Sequence, residues 1–412
     1  AVEEIQGALQ ALYGLKDAET QNRLVPPPPS YVAILALDGD QMGRWVSGEN
    51  TPPFLDQLAT EAQEYFSKLK SPAGEVLTNQ KPRRPLSPSY HLQFSESLAN
   101  FSLYLVRPIV ESFGGRLIYS GGDDVLAMLP AERSLECAVA LRAAFRGEKA
   151  LETLVEGRFE VLGENGGFVR VLRPEYGKGE VKEDCRPDWP LVVPGPRADC
   201  SVGIAVGHIH APLQNLVRAA QEAEQRAKRE LGRGACAVSL YKRSGEILEW
   251  GFRWGAKDDK TEPLSSDQLP AVQLFREFWR LSTGEKCPGD KPLLSSRFAY
   301  HLRQFVQPYA GVRGERPTMD DVPDLAIQEI LEREVRFAVN QHWLAKGSAT
   351  NQEREDFVDL VRAYLSHLEG RFEDLAEAKV GRSKTRPPIN VQVEALLGLF
   401  DTANFILREE EA

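Results

Sequence analysis

The chain has 412 residues, 42% of them apolar and 27% charged, enough to bury a sizeable core and to divide into two or three domains. A formal charge of −10 excludes a protein that coats nucleic acid over its whole surface, while leaving room for local basic patches. Five scattered cysteines with no C-x-x-C pair point to neither a disulfide framework nor a structural zinc site. No apolar run approaches the length of a membrane span and the N-terminal residues lack a secretory layout, so no membrane association and a cytoplasmic location are expected.

In chain order, Val2, Ile5, Leu9, Leu12 and Leu15 recur at helical spacing and lead to Pro26-Pro27-Pro28-Pro29. Residues 1–30 therefore read as a helix and stiff linker belonging to something upstream. Tyr31 to Leu37 is a continuous apolar run of strand length, the pattern of a strand covered on both faces. It ends in Asp38-Gly39-Asp40-Gln41-Met42-Gly43. Pro53 to Leu69 predicts a helix, Ser71 to Ser89 a proline-rich loop with the basic patch Lys81-Pro82-Arg83-Arg84, and His91 to Phe113 a long, largely buried helix.

Arg116 to Leu129 sets two apolar runs about Gly121-Gly122, a dipeptide that tolerates the positive φ of a two-residue hairpin turn. Asp123 and Asp124 follow directly. Adjacent carboxylates repel and are poor strand formers, which points to a cation. A helix over Ala131 to Phe145 precedes residues 147–199, richer in Gly, Pro and charge, which read as an insertion with short strand-like pieces such as Gly167 to Leu172. A buried strand over Cys200 to Val206, a helix over Pro212 to Leu231 and a strand pair at Ala235 to Tyr241 and Ile247 to Trp254 complete this part. Beyond residue 265 the pattern becomes helical, at Leu269–Leu281, Leu293–Val306, Leu325–Gln341, Asp356–Leu368 and Val391–Leu407.

With the insertion set aside, residues 31–231 follow the split β-α-β order of a ferredoxin-like sheet. Right-handed crossover makes the first two strands parallel with the third antiparallel between them, so Asp38 and Asp123 are expected to converge. Carboxylates meeting at a sheet end beside a glycine-containing loop suit Mg²⁺, which keeps coordination positions for water and phosphate. Backbone amides from Gly39 to Gly43 are placed to cradle phosphates, and the implied substrate is a nucleoside triphosphate. Asp38-x-Asp40 with Glu49 further on imitates an EF-hand loop, but the entering helix is missing and Met42 stands at a ligand position. His208-Ile209-His210 lacks a nearby third ligand and reads as a loop. The basic run Lys379 to Arg386 suits an RNA or subunit contact.

Asp38 to Gly43, Tyr119-Ser120-Gly121-Gly122-Asp123-Asp124, and Ser201 to Val206 followed by a helix closing in Ala227-Lys228 together carry a resemblance. Over about residues 31–255 the chain resembles the second palm domain of the large subunit of type III CRISPR effectors, Cmr type. More distantly it is similar to diguanylate cyclases of the G-G-D-E-F family. The resemblance implies an α+β chain: a ferredoxin-like palm (nucleotidyl cyclase) domain at 31–260, with the insertion at about 147–199, then an all-α C-terminal domain at 261–412. It implies a nucleotidyltransferase that joins ATP into cyclic oligoadenylate, with Mg²⁺ or Mn²⁺, when target RNA pairs with a guide. By carry-over, Asp38 and Asp123 hold metal, the Gly39 carbonyl is a further ligand and Asp124 supports them as a third catalytic carboxylate. Gly39, Asp40, Gln41, Met42, Gly43, Gly121, Gly122 and Lys228 then line the nucleotide. The implied partners are other subunits of a CRISPR ribonucleoprotein, which hold most of the guide RNA and target RNA. The family's His-Asp nuclease, first palm and zinc-bearing segment have no counterpart in these residues, so DNA cleavage is not assigned. Two alternatives stand beside this reading: a diguanylate cyclase-like enzyme, disfavoured by Asp-Asp-Val in place of an acidic-acidic-Phe ending, and a nucleotide-binding scaffold without turnover.

Overall fold

The computed structural model describes residues 29–163 except 81 and 85, 166–172, 189–255, 265–310 except 286 and 288–290, 324–345, 350–380 and 389–411, with positions 7, 8, 11, 12 and 15 before them. Most of the expected N-terminal helix, its proline linker, Cys185 and the bulk of the 379–386 basic run lie outside the described residues.

Among the described residues are nine strands: β1 (Tyr31–Gly39), β2 (Arg116–Gly121), β3 (Asp124–Pro130), β4 (Phe159–Leu162), β5 (Phe168–Val171), β6 (Leu191–Val192), β7 (Cys200–His208), β8 (Ala235–Tyr241) and β9 (Ile247–Arg253). Six of them form one sheet in the order β2-β3-β1-β7-β8-β9. β3 is antiparallel to both β1 and β2, so β1 and β2 run parallel with β3 between them, as the element order implied. β7 closes the other side of β1 antiparallel, and β8 joins β7 in parallel across the Leu213–Arg229 helix.

The unbroken apolar run of β1 is explained by its two covered faces. Ala33, Leu35 and Leu37 enter the main core with Phe101, Leu105 and Leu141, while Ile34 and Ala36 pack against Leu216, Ala219 and Ala220 of the Leu213–Arg229 helix. The helix expected at 91–113 begins earlier, at Pro88, where Ser87 accepts a hydrogen bond from the Tyr90 N–H at 3.2 Å. It runs through a wide π turn at Phe101–Leu105 before finishing as Val106–Ser112. Pro108 offers no N–H to the turn before it, and a local widening of this kind accommodates the gap.

The helix expected over 53–69 is broken into a 3₁₀ turn, Leu55–Gln57, and a helix, Thr60–Lys68. The Phe54 N–H donates to the Pro82 carbonyl at 2.7 Å and Pro53 bridges Arg83, so tertiary pairing with the loop outcompetes the local helical pattern. Within that loop, Pro72–Glu75 and Val76–Gln80 are short helical turns. The inserted segment folds into its own antiparallel sheet, β4-β5-β6.

The helices Pro270–Thr283, Phe298–Ala310, Asp324–His342, Asn351–Val380 and Ile389–Glu411 follow. This helical region lies against β9: Trp250 Nε1 donates to Thr402 Oγ1 at 3.0 Å, and Gly398 admits the Trp250 side chain, which a Cβ there would meet at 2.6 Å. One buried apolar network runs from β1 through Trp254 to Phe298, Phe357 and Phe400. The architecture is thus α+β, a palm-type sheet followed by helices. Among the described residues no helix is long and apolar enough to cross a membrane.

Candidate functional site

The β1–β3 register runs to Leu37 paired with Val125, which leaves Asp38 and Gly39 at the end of β1 beside Asp124 and Asp123. Gly121 still pairs with Asp124, so the hairpin turn is Gly122-Asp123, one residue later than the Gly121-Gly122 turn expected. Gly122 alone of the two takes a positive φ, 65°, the strand-matching geometry of a turn with glycine first. The shift puts Asp123 at the tip, against the end of β1. A Cβ on Gly39 would lie 2.9 Å from Asp123 Cβ and 3.0 Å from its Oδ2, so only glycine lets the strand end and the turn touch.

Lys228 reaches the same corner because its helix is seated directly on β7. A Cβ at Gly203 would stand 2.1 Å from the Glu224 nitrogen and 2.2 Å from the Ala220 carbonyl oxygen. The Lys228 ammonium is ion-paired with Asp38 Oδ2 and lies 2.6 Å from Glu224 Oε1. Glu224 is a member of the cluster that the motifs did not indicate.

Asp40 departs from its expected place at the nucleotide. Its carboxylate accepts from Ser201 Oγ at 2.8 and 2.9 Å and from the Gly234 N–H at 2.7 Å, with Arg233 at 3.5 Å, which turns it to the β7 side of β1. What Asp40 offers the loop beyond Gly39 is anchorage. Gln41 follows in the left-handed region, φ 56°, and its side chain accepts from Arg44 Nη1 at 3.2 Å. Met42 packs on the core, whereas a Cβ at Gly43 would meet nothing within 4 Å, leaving that backbone open. Glu49 pairs with Arg44 at 3.0 Å, so the EF-hand imitation is spent on an arginine.

The electrostatics are those of an acidic cluster short of positive charge. Burial pushes the Asp123 carboxyl up, and the Asp124 charge adds to it; burial likewise raises Asp124. Asp40 is raised to about 6 by burial, and Glu224 to about 7 by burial with the charges of Asp40 and Asp124 contributing. Lys228 is lowered to about 8 by burial and by Arg233.

Beneath the site lies a network that sequence reasoning missed. Asp199 accepts the Asp40 N–H at 2.9 Å through its carbonyl, and its carboxylate takes a two-pronged contact from Arg142 Nε and Nη2, both at 2.9 Å. Arg142 is fully buried, donates to Ser266 Oγ at 3.0 Å and lies 5.4 Å from the Trp254 ring. The available signal was Arg142 and Arg146, one turn apart in the mostly apolar run Cys137–Arg146.

By donor chemistry, Asp38, Asp123, Asp124 and the Gly39 carbonyl offer the hard oxygens that Mg²⁺ takes, and the Asp123 side chain lies against Gly39. Among the described residues no set of three or more His, Cys, Asp or Glu side chains is arranged around a common point. One or two carboxylates plus substrate phosphates is the usual Mg²⁺ arrangement, rather than an all-protein cage.

A split β-α-β sheet with acidic residues at the β1 end and the β2–β3 turn defines the class: a palm-type domain of nucleotidyl cyclase-like fold. Residues 31–154 match the model for Cas10/Cmr2, second palm domain. The chain is 26% identical over 348 residues to the CRISPR system Cmr subunit Cmr2 of Pyrococcus furiosus, covering 84% of this chain and 30% of that protein. Against the Cmr2 subunit of Saccharolobus solfataricus it is 32% identical over 91 residues, 22% of this chain and 8% of that one. The chain therefore spans less than a third of these relatives' length. Among solved structures, the apo state of type III-B Cmr-beta matches 79% of this chain and 35% of its own at 16% identity, TM-score 0.48. Csm1 of T. onnurineus matches 85% and 39% at 13% identity, TM-score 0.34.

Proposed function

We propose that this chain is the catalytic palm of a type III CRISPR RNA-guided effector, taking ATP with Mg²⁺ or Mn²⁺ and joining it into cyclic oligoadenylate when target RNA is engaged. The observation that carries this reading is the meeting of Asp38 and Gly39 with Asp123 and Asp124 at one sheet end, with Lys228 brought in from the facing helix. The family match over residues 31–154 supports it, as does a relative described as a subunit of a CRISPR Cmr system. The partners are accordingly the other subunits of such a complex, which present the guide and target RNA.

In each step a 3′-hydroxyl oxygen attacks the α-phosphorus of a second ATP, the new P–O bond replaces the bond to the β-phosphate oxygen, pyrophosphate leaves and the hydroxyl proton passes to solvent. Asp38, Asp123 and the Gly39 carbonyl, with Asp124 beside them, would hold a divalent ion, whose chemistry when bound would be to lower the hydroxyl's pKa and neutralise charge on the triphosphate. The open backbone at Gly43 takes phosphate oxygens, and Lys228 offers its ammonium to the triphosphate. Positioning and charge do the work, so no dedicated general base is required.

The test is incubation of the chain, assembled with its partner subunits, with ATP or GTP and Mg²⁺, with and without target RNA, reading products by mass spectrometry. Cyclic oligoadenylate is expected, and Asp38→Ala or Asp123→Ala lowers its formation at least about 100-fold with the thermal melt retained. A cyclic dinucleotide from GTP, or turnover indifferent to both substitutions, overturns the reading.

A further inference from the structure

Lys228 stands between two carboxylates with different duties. One is Asp38, a third exposed and proposed above as a metal ligand; the other is Glu224, which lies one helical turn before Lys228 and is almost wholly buried. Glu224 Oε2 accepts from Gln225 Nε2 at 3.0 Å, leaving Oε1 to face the ammonium at 2.6 Å. The close approach at Gly203 holds the helix backbone against β7, and from that fixed backbone the Lys228 side chain contacts both carboxylates at once.

An ammonium on Asp38 Oδ2 and a divalent ion on the same carboxylate repel each other at short range. Filling the site therefore requires Lys228 to leave Asp38, and Glu224 is the buried acceptor within its reach. We propose that Lys228 is a displaceable placeholder for the metal at Asp38, and that Glu224 is the positioning residue that receives it, setting the metal concentration at which the site fills. This rests on the reading of Asp38 and Asp123 as metal ligands. In the filled state Lys228 stays beside Glu224, facing the space where the triphosphate enters.

The test is Mn²⁺ binding to the full chain without nucleotide, followed by the electron paramagnetic resonance of free Mn²⁺. Lys228→Met, which removes the competitor, lowers the half-saturating Mn²⁺ concentration roughly fivefold, and Glu224→Gln, which leaves Lys228 only Asp38, raises it by a similar factor. Because Glu224 acts through Lys228, Glu224→Gln has no effect in the Lys228→Met background. Should the glutamine variant fail to fold, Glu224→Asp keeps the charge but shortens the reach, and it raises the midpoint in the same direction. A Glu224→Gln shift that persists without Lys228 means that Glu224 acts on the metal by its own charge, which overturns the proposal. So does a Lys228→Met midpoint that is unchanged or higher. If wild-type Mn²⁺ binding is indifferent to Asp38→Ala and Asp123→Ala, it is the metal-site reading itself that fails, a result distinct from either of these.

Discussion

At the scale of single residues, Gly39 decides whether the site exists. Its missing side chain is the space in which Asp123 sits, 2.9 Å from where a Cβ would be. Gly39→Ala forces the hairpin tip away from β1, at a cost of about 1–3 kcal/mol. A lower melting temperature together with weaker Mn²⁺ binding is expected, and unchanged binding would show that the tip does not depend on this contact. Asp38, Gly39, Asp123 and Asp124 drew attention because acidic residues at strand ends and beside glycine turns break local strand preference, and such breaks stand out in a sequence. Asp40 was misplaced for a physical reason. Strand periodicity puts residues two apart on one face, but β1 ends at Gly39, and the partners that turn Asp40 aside, Ser201 and Gly234, are separated from it by well over a hundred residues. Glu224 was invisible because a glutamate on an amphipathic helix ordinarily reads as a solvated residue.

At the scale of elements, the Leu213–Arg229 helix and β7 act as one piece. Gly203 lets their backbones touch, and the alanine series Ala219, Ala220, Ala223 and Ala227 supplies the small, buried face that fits. Gly203→Ala places a methyl group 2.1 Å from the Glu224 nitrogen, so the helix must lift. A destabilisation of about 3 kcal/mol, seen as a lower denaturation midpoint, is expected, along with a loosened Lys228 contact to Asp38. Strand assignments from the sequence were close in the main sheet, because β1 and β7 are apolar on both faces and need no partner information to be recognised, whereas β4 and β6 of the inserted segment were not singled out. The helix expected over 53–69 was not, since the bonds that interrupt it come from the loop around Pro82.

At the scale of the whole molecule, Arg142 is the joint. From the Ser134–Arg146 helix it binds Asp199 at the head of β7 and Ser266 at the entrance to the helical region, with Glu148 of the inserted segment 3.8 Å away. Arg142→Met leaves the Asp199 carboxylate without its principal counter-charge, a loss of about 3–5 kcal/mol. Burial works to raise the Asp199 carboxyl, but the Arg142 charge and hydrogen bonds outweigh it and hold it below the ordinary carboxylate value. Ionised Asp199 therefore favours the folded state above that ordinary value, and the contribution disappears as pH falls below it. Chemical denaturation of wild type across an acid series is expected to show this loss, and the Arg142→Met variant to show a flatter dependence; parallel curves would remove Asp199 from the account.

The order of apolar runs and the glycine punctuation were enough, by themselves, to determine a ferredoxin-like sheet with β1 and β2 parallel about β3, because right-handed crossover and strand pairing leave few other arrangements. Tertiary structure alone decided which carboxylate faces which neighbour. Side-chain partners across the sheet depend on register and on how closely a helix backbone approaches, and neither is encoded in the spacing of any one segment. That is why Asp40 turned inward, why Arg142 lies buried beneath the site, and why Lys228 rests between Asp38 and Glu224.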